Sequence, residues 1–180
     1  MKPAAPVTMI MRTNIRGWER ETAVAVVRLL PLSMYFRSPS MIMSLVHITR
    51  RERFSAAHKL SRADWSPERN LEVFGKCSSP NWHGHNYELW VTVKGEPSTD
   101  TGFVVDLSEL GRIIHDRVIR HVDHKNIDVD VEFMKGRLSS TENLAIAIWE
   151  QLSGPISGIG CALHRIRLKE TENNEVEYYG

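Results

Sequence analysis

The chain has 180 residues, of which 42% are hydrophobic and 25% charged, and its formal net charge is +1. This length fits one domain, and the apolar fraction is enough to build a hydrophobic core. The basic residues are scattered along the chain, so nucleic acid is not an expected partner. The mostly apolar run 22–32 is too short to span a bilayer, which needs about 20 residues. Two cysteines, Cys77 and Cys161, imply no disulfide framework, so we expect a reducing compartment and a cytoplasmic protein.

Residues 1–43 differ in pattern from the rest of the chain. We interpret them as an N-terminal extension that is either poorly ordered or precedes a translation start at Met41 or Met43. A secretory signal is not expected, because Glu19 and Glu21 lie beside the apolar run and no small-residue cleavage site follows it. Residues 44–180 form the patterned domain.

Five segments have the pattern of β-strands, namely residues 45–57, 86–96, 103–105, 161–170 and 176–179. The second is the clearest, since its apolar residues alternate strictly from Tyr87 to Val93. In the fourth, a period of two places one set of side chains on a common face: Ala162, His164, Ile166 and Leu168.

Three segments have helical signals. Ser66-Pro67 is a start signal and Gly75 a stop, which predicts a short helix just before Cys77. Asp106 or Ser108 can cap a second helix, whose apolar stripe consists of Leu107, Leu110, Ile113, Ile114 and Val118.

The third helix begins near Ser139, which forms a capping-box pattern with Glu142, and Gly154-Pro155 is expected to end it. The order of elements therefore places two long helices together between runs of strands. That order predicts an α+β domain with an antiparallel sheet and helices on one face.

His83 and His85 are separated by one glycine at the start of a strand, so their side chains share a face. Two imidazoles in this arrangement can bind one metal ion, and Zn²⁺ is the commonest partner of nitrogen ligands. His58, at the end of the first strand, is the best third ligand, because antiparallel pairing could bring it alongside. From spacing alone, two histidines that bind no metal are an equally good interpretation.

Cys77 lies in a polar loop six residues before His83. Its thiol could be a fourth metal ligand, a reactive base or an inert loop residue, and a cationic neighbour would favour the thiolate.

Asp123-His124 is a further candidate pair. If Asp123 orients an imidazole, that imidazole can act as an acid or base near pH 7.

Glu170 continues the apolar face of the fourth strand, where an unpaired carboxylate is unfavourable. It could therefore bind a ligand that offers two adjacent N–H donors, or the strand could simply reach water there. Thr141 and Glu142 at the start of the third helix are explained by capping alone.

Six short motifs occur in a characteristic order: residues 54–58 (FSAAH), 75–77 (GKC), 81–87 (NWHGHNY), 122–126 (VDHKN), 140–143 (STEN) and 169–171 (KET). Together they resemble the 6-pyruvoyltetrahydropterin synthase family, which includes the bacterial 6-carboxytetrahydropterin synthases. The resemblance runs from about residue 45 to residue 180. It implies the tunnelling fold, an antiparallel four-stranded sheet with two helices on one face. It also implies trimers that stack as a homo-hexamer with active sites between subunits.

The resemblance assigns roles to the candidate residues. His58, His83 and His85 would hold zinc; Cys77, Asp123 and His124 would form a catalytic proton relay; and Glu170, with Thr141 and Glu142 nearby, would bind the pterin. The substrate would be 7,8-dihydroneopterin triphosphate, converted to 6-pyruvoyl-tetrahydropterin for tetrahydrobiopterin synthesis.

Two alternatives remain open. Five residues separate Cys77 from His83, and this spacing resembles that of the 6-pyruvoyl enzymes. Typical 6-carboxy enzymes of the queuosine route have a shorter spacing, Cys-x-x-x-His. A 6-carboxy product nevertheless remains possible. A non-catalytic pterin- or metal-binding module is less favoured, because it would not need all of Cys77, Asp123 and His124.

Overall fold

The longest strand pair of the protein forms where two thirteen-residue segments alternate apolar and polar side chains. Strands β1 (Val46–His58) and β2 (His83–Gly95) pair antiparallel along their full length. The structure is a computed structural model that describes residues 44–180. The predicted N-terminal extension, residues 1–43, lies outside the described residues.

Three further strands complete a mostly antiparallel sheet. Strand β4 (Ala162–Lys169) pairs with β2, and β5 (Glu175–Tyr178) pairs with β4, both antiparallel. A two-residue strand, β3 (Lys125–Asn126), runs parallel to β1 beside Ala56 and Ala57. The sheet order is β3-β1-β2-β4-β5. The predicted α+β class is confirmed, and the expected four-stranded sheet gains β3 as a short fifth strand at its edge.

The short helix α1 (Pro67–Phe74) forms where it was predicted. The Ser66 side chain accepts a hydrogen bond from the backbone N–H of Arg69 and so caps its first turn. The helix ends at Gly75, whose φ of 54° is readily adopted only by glycine. The 3₁₀ turn Gly75–Ser78 then carries Cys77 towards the start of β2.

Two long helical segments cover one face of the sheet. The first comprises α2 (Leu107–Ile114), the π-helical turn His115–Ile119 and α3 (Arg120–Val122); the second is α4 (Thr141–Ser157). Helix α4 packs against β4 and β5, and α2 packs against α4 and β1. No helix within residues 44–180 combines the length and apolar character that crossing a membrane requires. The core between sheet and helices includes fully buried residues of both layers: Leu89, Val91, Leu110, Ile114, Leu144, Ile148, Leu152, Ile166 and Leu168.

The two long helical segments differ from the predictions at three points. Leu107 is 49% exposed, so it does not belong to the buried stripe. The cap of α4 is Ser140, which accepts from the N–H of Asn143, because the Ser139 hydroxyl instead donates to the carbonyl of Lys59. The helix also continues through Pro155 to Ser157, and burial of Ile156 holds this last turn against the core.

One strand prediction and one face assignment were wrong. Residues 103–105 form no strand, because no other strand within residues 44–180 pairs with them. Val104 and Val105 form a bend instead, and Phe103 is 67% exposed. In β4 a bulge at His164 shifts the alternation, since Thr92 of β2 faces Arg165 while Val93 faces Leu163. Leu163 is therefore buried in place of the predicted Ala162 and His164.

Gly84 lies in β2 between the predicted metal ligands His83 and His85, where β2 is in close contact with β1. A Cβ atom at Gly84 would lie 2.9 Å from the backbone oxygen of Ala56, so the two strands would have to move apart. We expect Gly84→Ala to lower the free energy of unfolding by about 1–3 kcal/mol. Urea denaturation in the presence of a metal chelator measures this effect.

The matched control is Gly111→Ala, within α2. The nearest atoms to a Cβ atom there would be those at the end of the flexible Arg50 side chain, at 3.4 Å, and alanine favours helix. The control should be neutral or stabilising. Equal stabilities of the Gly84 and Gly111 variants would contradict this account of the strand contact.

Candidate metal and substrate site

Three histidines meet at one end of the sheet, on the face that the helices cover. His58 is the last residue of β1 and pairs directly with His83, the first residue of β2. His85 lies two residues further along β2, opposite Ala56, so the period of two returns its side chain to the same face. The register of one strand pair thus brings together all three predicted metal ligands.

The three imidazoles are close enough to share one ion. The ring centres of His58 and His83 are 4.4 Å apart, and His85 lies 5.1 Å from each of them. One nitrogen from each ring lies within 4.8 Å of the others. Nε2 of His58 and Nδ1 of His83 are buried and have no hydrogen-bond partner within residues 44–180. Buried nitrogens without partners are unfavourable unless something coordinates them, so the residues fit a metal ion.

A backbone carbonyl fixes the orientation of His58. Its Nδ1 lies 2.7 Å from the carbonyl oxygen of Ser139, just before α4. Because a carbonyl only accepts hydrogen bonds, Nδ1 carries the proton and Nε2 presents a lone pair to the cluster. Metal-binding histidines commonly have such a partner on their second nitrogen.

Burial favours the neutral form of His83 and of His85. It lowers the pKa of His83, and the nearby His58 and His85 lower it further. Burial likewise lowers the pKa of His85, against an opposing effect of the Glu170 charge. A neutral imidazole is the form that binds metal, so these environments prepare both side chains for coordination.

Glu170, just beyond the end of β4, faces the three histidines. Its Oε1 lies 3.6 Å from Nε2 of His58 and 3.8 Å from Nε2 of His85, and the Thr141 hydroxyl donates to the same oxygen over 2.7 Å. The structure therefore places predicted residues Glu170 and Thr141 beside the cluster. Glu142 is exposed in the first turn of α4, next to Thr141.

Cys77 lies near this end of the sheet. Its carbonyl accepts a hydrogen bond from the N–H of Leu60, two residues beyond His58. The residue is half-buried, and its thiol makes no hydrogen bond within residues 44–180.

Asp123 and His124 lie at the edge of β1. The Asp123 carboxylate accepts from the N–H of Ser55 and lies 3.0 Å from Nδ1 of His124, so the two side chains do touch. The Ser55 hydrogen bond is the main reason that the pKa of Asp123 is lowered. The His124 side chain is 82% exposed and its φ is 56°, a left-handed conformation that is rare outside glycine. No hydrogen bond or ion pair in the described part of the chain joins this pair to Cys77 or to the three histidines.

Sequence reasoning missed two residues of the site. Ser139 contributes its carbonyl, which no side-chain pattern could reveal. Tyr87 is 1% exposed, and its ring edge lies near His85, with centres 5.6 Å apart. Burial, followed by the charge of Glu170, raises the pKa of its hydroxyl. Since Tyr87 follows His85 by two positions, the alternation that placed the histidines could also have placed Tyr87.

Comparison with known proteins identifies the family. A family model described as 6-pyruvoyl tetrahydropterin synthase matches residues 47–180. The chain belongs to this family. Membership in the 6-pyruvoyl tetrahydropterin synthase family confirms the resemblance carried by the six sequence motifs.

Individual relatives agree. The chain is 42% identical over 133 residues to the human 6-pyruvoyl tetrahydrobiopterin synthase, covering 74% of this chain and 90% of the relative. It is 32% identical over 101 residues to the 6-carboxy-5,6,7,8-tetrahydropterin synthase of Bacillus subtilis, covering 54% and 59%. The solved 6-pyruvoyl tetrahydropterin synthase of Caenorhabditis elegans superimposes with a TM-score of 0.70 at 39% identity, covering 77% of this chain and 97% of that one. The expected tunnelling fold is thereby confirmed.

The histidine cluster predicts metal binding that depends on each ligand. Purified protein dialysed against Zn²⁺ should retain one ion per chain. The zinc content of His83→Ala should be less than about a tenth of that value, because two imidazole ligands bind zinc much more weakly than three. Elemental analysis by mass spectrometry measures the content. His121→Ala, on an exposed helical residue, is the control and should bind like the parent chain. Equal zinc content in the His83 and His121 variants would show that the cluster holds no metal.

Proposed function

We propose that this protein is a zinc-dependent lyase that converts 7,8-dihydroneopterin triphosphate to 6-pyruvoyl-tetrahydropterin and releases triphosphate. The observation that carries the proposal is the cluster of His58, His83 and His85 with the Glu170 carboxylate facing it. The family match supports the reaction class, and relatives named as 6-pyruvoyl synthases match most of their own length, 90% for the human protein.

The three histidines would hold the zinc ion. Three protein ligands are typical of a catalytic zinc site, in which a further position is open to water or substrate. When bound, zinc supplies Lewis acidity that stabilises negative charge on hydroxyl oxygens of the substrate side chain.

Glu170 would bind the ring of the pterin. A carboxylate accepts two hydrogen bonds side by side, which suits the adjacent N–H donors of an amino-pyrimidine edge. Thr141 holds one carboxylate oxygen over 2.7 Å, so the carboxylate has a defined orientation. Glu142 adjoins Thr141 at the exposed rim of the same helix start.

The reaction needs proton carriers but no outside reductant. The dihydropterin ring is reduced while the hydroxyl carbons of its own side chain are oxidised, and triphosphate leaves from the terminal carbon. Protons therefore have to move from the side chain to the ring. We assign Cys77 as general base and His124 as its partner, with Asp123 orienting His124 through their 3.0 Å contact.

The position of His124 favours a site shared between subunits. Its side chain is 82% exposed, and it lines a cavity of about 510 Å³ together with Ser55, Asn86 and Lys125. A second copy of the chain could thus meet His124 directly. This supports the homo-hexamer, a dimer of trimers, as the active assembly.

A product assay tests the proposal. Zinc-loaded protein is incubated with 7,8-dihydroneopterin triphosphate, and the products are identified by mass spectrometry. We expect 6-pyruvoyl-tetrahydropterin and free triphosphate. A 6-carboxy product with acetaldehyde would instead support the 6-carboxytetrahydropterin synthase alternative. The Bacillus subtilis relative, 59% of which is covered by the match, supports that alternative. No turnover by metal-loaded protein would contradict both reactions and favour a pterin-binding module.

The assigned role of Cys77 gives a sharper test. Cys77→Ala should lower kcat by about 10²–10⁴, the usual contribution of a general base, while zinc content stays at one ion per chain. Cys161→Ala is the matched control, because Cys161 is buried just before the start of β4, whereas Glu170 and the histidine cluster lie at the other end of that strand. Full activity of the Cys77 variant would remove the thiol from the mechanism.

A further inference from the structure

Tyr87 presents a buried hydroxyl group that nothing in the described chain satisfies. The residue is 1% exposed, and its hydroxyl has no hydrogen-bond partner within residues 44–180. Buried polar groups without a partner are rare in folded proteins, and each one calls for a physical reason.

The ring of Tyr87 lies next to two of the three histidines. It stacks on Phe54 with ring centres 4.9 Å apart and an angle of 15° between the planes. Its edge faces His85 at 5.6 Å and His58 at 6.3 Å, measured between ring centres. The ring position is thus fixed from two sides, and the hydroxyl cannot swing away to solvent.

The sheet register brings Glu170 next to Tyr87. Glu88 of β2 pairs with Lys169 of β4, so the following antiparallel position sets Tyr87 opposite Glu170. Residues opposite each other on one face of an antiparallel pair are direct neighbours. Of the two Glu170 oxygens, Oε1 is held by Thr141, whereas Oε2 accepts no hydrogen bond in the described part of the chain. The unpaired hydroxyl donor of Tyr87 and the unpaired Oε2 acceptor of Glu170 therefore belong to neighbouring residues.

We propose that Tyr87 is a positioning residue for Glu170 and that its hydroxyl donates to the carboxylate when a pterin ring binds. Thr141 and Tyr87 then hold the carboxylate from two sides, leaving its remaining lone pairs for the ring. The inference rests on the proposed function, because it needs Glu170 to bind the pterin. Tyr87 touches neither substrate nor metal in this role.

Tyr87→Phe isolates the hydroxyl, because phenylalanine keeps the ring that stacks on Phe54. Without its partner the carboxylate is less well oriented in both the ground state and the transition state. We expect KM to rise about fivefold or more while kcat stays within about twofold, the signature of lost uniform binding. The Kd of neopterin, an unphosphorylated probe measured by fluorescence, should rise by a similar factor.

Two readouts separate positioning from a purely structural role. Zinc content should stay at one ion per chain, and the Tm of the free protein should not fall, because the hydroxyl has no partner there to lose. Tyr178→Phe is the control; its ring packs on Trp149, remote from the histidines, and it should bind neopterin like the parent chain.

Each failure has a distinct meaning. Unchanged neopterin binding by Tyr87→Phe, beside normal binding by the parent chain, would overturn this inference alone. Weaker binding accompanied by lost zinc or a lower Tm would also overturn it, since the hydroxyl would then serve the metal or the fold. A parent chain that binds no pterin would overturn both the proposed function and this inference.

Discussion

The antiparallel pairing of β1 with β2 is the constraint on which the rest of the site depends. It sets His58 directly opposite His83 and returns His85 to the same face. A slip of one residue would move a whole set of side chains to the other face of the sheet. The buried apolar residues that follow along β2, from Tyr87 to Val93, resist such a slip because it would expose them. The same register therefore fixes both the core packing and the arrangement of the three histidines.

Burial of the polar side chains at the histidine end of the core is unfavourable unless they have hydrogen-bond partners or bind a ligand. Ser139 fixes His58, and Thr141 fixes Glu170, so the segment that begins α4 orients two side chains contributed by the sheet. Four buried side-chain atoms have no hydrogen-bond partner within residues 44–180, and three of them, on His58, His83 and Tyr87, lie within this one region. Such a concentration of buried, unpaired polar atoms is unfavourable for folding alone and points to bound partners.

Period-two alternation was enough to predict the shared face of His83 and His85, and strand adjacency was enough to suggest His58. The position of α1 just before Cys77 followed from its own cap and stop residues. Tertiary context decided what those local rules could not. The bulge at His164 arises where β4 meets β2, and residues 103–105 lack a partner strand despite their strand-forming residues. The choice of Ser140 over Ser139 as helix cap depends on Lys59, which is distant in sequence.

We propose that the three histidines of one strand pair form a zinc centre with a position left for substrate. X-ray absorption spectroscopy of the zinc-loaded protein tests it most directly. The account predicts a first shell of nitrogen and oxygen atoms only, at about 2.0–2.1 Å, with the multiple scattering of three imidazoles. A sulfur atom at about 2.3 Å would place Cys77 on the metal, and a shell without imidazole scattering would contradict the histidine centre itself.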